Sequence, residues 1–274
     1  MRVKCHMKAK IIFIHGMFQN GKSWAKWVAF FEDAGFECSA PSWPLHEGAP
    51  AELRSQVPAG LGRLRLAEVI EHFAAECRKT DQRPILIGHS VGGLVAQILA
   101  NRGLASTAVC ISSVAPNDLI AVDWHLVKAV ISITNPLKGH EVYEMTPEEF
   151  HDTFCNTMTE QESARAYAET ATPDSRQVLR DCLGSAGRVD MNEAHVPLLF
   201  IAGDSDHIIP ASLNRRNSGH YSDLTSVTEF IEFPGRGHFI CGQPGWQEVA
   251  HYTLRWLEEQ VPAASLHATA DYHR

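Results

Sequence analysis

Short apolar runs alternate with stretches whose apolar residues recur every three or four positions, and the alternation repeats along most of the chain. Ile11–Ile14, Ile85–Ile87, Thr107–Ile111 and Pro197-Leu198-Leu199-Phe200-Ile201-Ala202 are apolar almost without interruption. Such runs predict strands covered on both faces, because a strand with one wet face shows a polar residue at every second position. Further strands are expected near Phe36–Ala40 and over Thr228–Phe233. Between them, Trp24, Trp27, Val28 and Phe31 share one helical face. Leu66, Val69, Ile70, Phe73 and Cys77 mark a second amphipathic helix, and Leu94, Val95, Ile98 and Leu99 a third. A last helix is expected from about Gly245, with Trp246, Val249, Ala250, Thr253 and Leu257 on one side. This order predicts an α/β fold, a mostly parallel central sheet flanked by helices.

From Pro116 to about His195 the alternation stops, and the pattern reads as helices without strands. Thr146-Pro147-Glu148-Glu149 offers a capping threonine, a proline at the first helical position and an acid three residues after the threonine, and Thr159 to Glu162 repeats the capping pattern. Thr172-Pro173-Asp174 is read as the opening of a third helix toward Gly184. The expected organisation is therefore one discontinuous core, residues 1–115 and 196–262, an inserted segment, 116–195, and a loose polar tail, 263–274.

Composition narrows the function. The chain has 274 residues with 45% hydrophobic content, enough for one large core, and a formal net charge of -8. That balance argues against a nucleic-acid or anionic-membrane surface, and no apolar run approaches a membrane span. Met1–Lys10 is basic but lacks a following apolar stretch of signal-peptide length, so a cytoplasmic protein is expected. Seven scattered cysteines without a Cys-x-x-Cys pair predict free thiols. Asp204, Asp206 and His207 are close in sequence, but no second histidine at ligand spacing completes a metal site.

The candidate chemistry centres on Ile85-Leu86-Ile87-Gly88-His89-Ser90-Val91-Gly92-Gly93. A buried strand runs straight into a helix with Ser90 at the turn, and Gly88 and Gly92 flank it in the Gly-x-Ser-x-Gly spacing of a nucleophile elbow. A serine hydroxyl needs a base to take its proton and a carboxylate to orient that base. Both follow at strand ends: Asp204 and Asp206 after the run ending at Ala202, and His238 in the glycine-rich loop after Thr228–Phe233. The chain order is Ser, Asp, His.

With these motifs the chain resembles the α/β-hydrolase superfamily, in particular serine hydrolases with a helical cap, over Ile11 to Gln260. The resemblance implies that Ser90, Asp206 and His238 form a catalytic triad, Asp204 being the fallback acid; Gly203, Asp206 and Pro210 match the family's Gly-x-x-Asp with a following proline. It implies that His15-Gly16-Met17-Phe18 is an oxyanion loop, one amide coming from Met17 or Phe18 and the second from Val91. Residues 116–195 would form the cap, and Trp124, Phe150, Phe154, Met158 and Tyr167 are candidates to line the substrate pocket. His15 and His89 are expected to act as supports, and Trp43 either reaches the pocket rim or simply stiffens its proline-flanked turn. The implied activity is cleavage of carboxylic esters of small, largely apolar molecules through an acyl-enzyme, with no metal or organic cofactor and no nucleic-acid or membrane partner. Serine at position 90 sets the chain apart from relatives with an aspartate there. Lactonase, amidase, carbon–carbon hydrolase and lyase chemistries remain open on the same residues, as does a ligand-binding receptor with slow hydrolysis.

Overall fold

The computed structural model describes residues 8–120 and 135–260. Eight strands lie within them: β1 (Lys8–Ile14), β2 (Phe36–Ser39), β3 (Ile85–His89), β4 (Thr107–Ile111), β5 (Val142–Tyr143), β6 (Asp174–Ser175), β7 (Leu198–Gly203) and β8 (Thr228–Phe233). Six of them build one sheet in the order β2-β1-β3-β4-β7-β8, and every neighbouring pair is parallel. The helices are α1 (Ala25–Asp33), α2 (Pro50–Ser55), α3 (Leu66–Arg78), α4 (Val91–Asn101), α5 (Asn117–Ile120), α6 (Pro147–Thr153), α7 (Glu160–Thr170), α8 (Arg176–Cys182), α9 (Ala211–Gly219) and α10 (Trp246–Gln260). None is long and apolar enough to cross a membrane.

The uninterrupted apolar strands are explained by the two cores they separate. Ile11, Phe13, Ile85, Ile87, Val109, Ile111, Leu199 and Ile201 point to one face, where Trp27 and Phe31 of α1 and Val249, Trp256 and Leu257 of α10 cover them. Ile12, Ile14, Leu86, Ala108, Cys110, Leu198 and Phe200 point to the other, under α3, α4 and the segment between β4 and β7. Successive residues of a strand face opposite ways, so a sheet buried on both sides must be apolar at every position. Each large aliphatic side chain fully buried from these strands contributes roughly 2 kcal/mol to the driving force for the fold.

The helices of the segment between β4 and β7 start where their caps are. Thr146 Oγ1 accepts from the Glu149 amide at 3.1 Å, and Glu149 reaches back to the Thr146 amide at 3.0 Å. Thr159 and Glu162 repeat the exchange at 3.3 and 3.0 Å, each cap contributing about 1 kcal/mol. Two expectations are corrected. The segment contains a strand pair, β5 antiparallel to β6, where none was expected. No helix opens at Thr172 either: Asp174 pairs with Tyr143 in β6, which delays the helix, and Ser175 caps α8 by accepting from the Gln177 amide. Trp124 and the tail 263–274 lie outside the described residues.

The sheet order has one consequence for function. The chain leaves β1 toward β2 on one side and returns to β3 on the other, so the carboxyl ends of β1 and β3 face a crevice at the point where the order reverses. Ile14 pairs in register with Gly88, which brings the loop after β1 beside Ser90.

Candidate active site

Ser90 stands between the last residue of β3 and the first of α4 with φ +57° and ψ -122°, a conformation unfavourable for any residue with a side chain. Its backbone is held from three sides: the Ser90 amide donates to Ile111 O at 3.0 Å, and Ser90 O accepts from Gly93 and Val114, both at 3.0 Å. The flanking glycines are required by close approach. A Cβ on Gly88 would lie 2.2 Å from Gly92 O, and one on Gly92 would lie 2.1 Å from Ile14 O. Gly16 meets the serine from the other side, where a Cβ would come within 2.7 Å of Ser90 Cβ.

The loops after β7 and β8 bring the carboxylate and the imidazole together. His238 Nδ1 lies 2.8 Å from Asp206 Oδ2, and both side chains are buried. Asp206 Oδ1 accepts from the amides of Ile208 and Ile209 at 2.8 Å each, and this grip turns Oδ2 toward the histidine. Burial pushes the Asp206 carboxyl up, but the neighbouring His238 ring and the two amides outweigh it and hold the group below the usual carboxylate range. Asp204 goes elsewhere, to the Gly235 amide at 2.8 Å and the Ser205 hydroxyl at 2.7 Å. His238 Nε2 is buried without a hydrogen-bond partner, so Ser90 Oγ does not bond to it in this state. Such bonds are commonly long before substrate binds.

His89 and His15 act as supports. His89 Nε2 donates to His238 O at 2.8 Å, and burial together with the adjacent His238 lowers the His89 imidazole to about 3, keeping it neutral. His15 accepts from the Trp43 amide at Nε2, 2.9 Å, which leaves Nδ1 to donate to Gly16 O at 2.8 Å. Burial, then the charge of His46, lowers His15 well below the ordinary value and favours this neutral tautomer. Trp43 is buried and stacked on His15, ring centroids 4.8 Å apart, so it stiffens the loop and does not reach a rim. Of the two amides left open after β1, that of Phe18 is committed to Asp174 Oδ2 at 2.9 Å. The amides of Met17 and Val91 have no protein partner among the described residues.

The sequence model of the alpha/beta hydrolase family matches residues 11–251. The chain belongs to the alpha/beta hydrolase family. A search of curated proteins finds no match. Among solved structures, the chain is similar to a monoacylglycerol lipase of Paleococcus ferrophilus, with TM-score 0.67, 19% identity and coverage of 92% of this chain and 95% of that one. It is similar to the Arabidopsis methylesterase MES16, at 0.68 and 13% over 92% and 99%, and to tomato methylketone synthase I in complex with 2-tridecanone, at 0.68 and 15% over 93% and 100%. At these identities the likeness is one of fold.

In this alpha/beta hydrolase the residues expected to line a pocket sit at graded distances from His238. Phe154 meets the His238 ring edge to face, centroids 4.8 Å apart, and Phe150 stacks on Phe154 at 5.0 Å. Tyr167 packs against Phe150 at 5.6 Å, one layer further out, with its hydroxyl donated to Met145 O. Met158 lines a separate surface cleft of about 510 Å³ together with Lys22, Arg165 and Trp246. Phe18 and Tyr143, ring centroids 5.6 Å apart, extend the aromatic surface that Phe154 begins. No sequence pattern marks Tyr143 or His46, and Thr172 and Asp174 carry the pattern of a helix start with nothing in it that points to the site. The six described cysteines are free, and no cluster among the described residues could hold a metal ion.

Proposed function

We propose that the protein hydrolyses carboxylic esters of small, largely apolar molecules through an acyl-enzyme on Ser90. The observation that carries this reading is the strained turn at Ser90, φ +57°, at the crevice that also receives a buried Asp206–His238 pair whose Nε2 is unpartnered. His238 takes the Ser90 proton as Oγ attacks the ester carbonyl. Asp206, already ionised, steadies the imidazolium through Nδ1. The carbonyl electrons pass to oxygen, where the amides of Val91 and Met17 receive the charge, and such a donor is worth about 3 kcal/mol of transition-state stabilisation. Collapse expels the alcohol, protonated by His238. Water, deprotonated by the same histidine, then attacks the acyl-enzyme, releases the acid and restores Ser90.

The preference for apolar groups follows from Phe154 against the His238 ring and from Phe18 and Phe150, which pack on Phe154. The segment 116–195 acts as the cap that carries two of them, and the free thiols fit a reducing, cytoplasmic setting. That a monoacylglycerol lipase and a methylesterase share the fold is consistent with ester chemistry. The test is hydrolysis of a p-nitrophenyl ester series, acetate to long acyl chains, by wild type and Ser90→Ala. Turnover that peaks at one chain length and falls by about 10³-fold or more in Ser90→Ala is expected. A Ser90→Ala rate close to wild type would remove the reading.

A further inference from the structure

Phe18 holds a left-handed backbone conformation, φ +63°, which a bulky residue adopts only when its surroundings impose it. Those surroundings belong to the segment between β4 and β7. Thr172 N donates to Phe18 O at 3.0 Å, Thr172 Oγ1 donates to Gln19 O at 3.2 Å, and Asp174 Oδ2 accepts from the Phe18 amide at 2.9 Å. The Asp174 carboxylate is fully buried: its Oδ1 takes the amide of the next residue, Ser175, at 2.6 Å, and its Oδ2 also lies 3.5 Å from Nε2 of the distant His46. Both carboxylate oxygens of Asp174 are thus committed to backbone amides, which fixes the orientation of the side chain.

The geometry of Met17 depends on this grip. Gly16 C=O and Met17 N–H belong to one rigid peptide unit, and His15 Nδ1 holds the carbonyl end, so the N–H is aimed the opposite way. Met17 C=O and Phe18 N–H form the next unit, and Asp174 holds its N–H. With both units pinned, the backbone at Met17 has no freedom to turn its amide away from the crevice beside Ser90. The geometry points to Asp174, backed by His46, as a positioning residue that aims the Met17 amide at the reacting oxygen, so that docking of the cap onto the loop after β1 completes the oxyanion hole. This inference rests on the reading of Ser90 as nucleophile. Asp174 touches no reacting atom and acts through the loop alone. The position of His46 fits the role: burial draws its imidazole down, but Asp174 more than offsets this and favours the charged form that complements the carboxylate.

The test compares Asp174→Ala, Asp174→Asn and Arg65→Ala with wild type. Arg65→Ala removes another contact to the same segment, the pairing of Arg65 with Asp181 at 2.6 Å, without touching the oxyanion loop. Each protein is measured for kcat and KM on a p-nitrophenyl ester and for inhibition by a 1,1,1-trifluoro-2-alkanone, which forms a tetrahedral adduct with a serine and places charge on the same oxygen. For Asp174→Ala, kcat falls about 10- to 100-fold with KM within about threefold, and the inhibition constant of the ketone rises by the factor that kcat falls. Asp174→Asn can accept only one of the two amides and lies between, with about 3- to 10-fold effects. Arg65→Ala leaves all three quantities at wild-type values. Unchanged kcat and ketone affinity in folded Asp174→Ala would overturn the inference, as would equal losses in Arg65→Ala. If Asp174→Ala does not fold, wild-type values in Asp174→Asn would overturn it. A wild type indifferent to the ketone would remove the nucleophile reading together with the inference, whereas ketone binding equal in wild type and Asp174→Ala would remove the inference alone.

Discussion

The sheet and the segment between β4 and β7 reach the candidate site by different means. The sheet contributes through its backbone: register pairs Ile14 with Gly88 and Gly203 with Phe233, so the loops that leave the strand ends arrive side by side whatever their side chains do. The segment contributes through side chains and long-range hydrogen bonds. Phe154 lies against His238, Phe154 O accepts from the Phe239 amide at 2.9 Å, Asn156 donates to Ser205 O at 2.9 Å, and Asp174 holds the Phe18 amide. The strand-end contacts are therefore fixed by backbone register, whereas those of the segment can change one side chain at a time.

The largest effects are expected at the two acids. Asp206→Asn removes the carboxylate that meets His238 Nδ1, and a fall in kcat of about 10³-fold is expected on an activated ester. Asp204→Asn, two residues away but turned to Gly235 and Ser205, should stay within about threefold. Equal losses would mean that the loop as a whole, and not its register, sets the site. On the segment side, Phe154→Ala removes a buried ring at a cost of about 3 kcal/mol of stability, read as a lower denaturation midpoint. Its turnover of short esters should fall by no more than about tenfold while longer acyl chains gain relative to shorter ones. A loss as large as that of Asp206→Asn would place catalytic weight on the segment and erase the distinction. The smallest effect concerns His46, which faces Asp174, Glu47 and His15. Because the folded state raises the His46 imidazole, the pair stabilises fully below the ordinary value of about 6.5 and loses that contribution as pH rises through the folded-state value. The difference in Tm between wild type and His46→Gln should therefore be widest in mild acid and narrow toward alkaline pH. A difference that widens with pH would contradict the pairing.

The same division explains what could be read before the structure. β4 occupies the expected Thr107–Ile111, and α3 begins at the expected Leu66, because burial on both faces of a sheet and on one stripe of a helix leaves a periodic trace in the sequence. The elbow is legible in part for a local reason, since Gly88 answers to the backbone of Gly92 four positions on. A two-residue strand such as β5 or β6 has no period to read. Asp204 and Asp206 share one loop and one residue type, and only the amides of Ile208 and Ile209 decide which carboxylate turns to His238. Asp174 was the least legible. Its partner Phe18 is 156 positions away, and the Thr-Pro-Asp-Ser stretch imitates a helix start.

Whether Ser90 is an activated nucleophile is read from the intact mass and peptide map of the protein after treatment with a fluorophosphonate. A single adduct on Ser90 in wild type is expected, with none in Ser90→Ala and labelling slowed by at least about 10²-fold in His238→Ala. Wild-type protein that stays unlabelled, or an adduct that persists in Ser90→Ala, would contradict that role for Ser90.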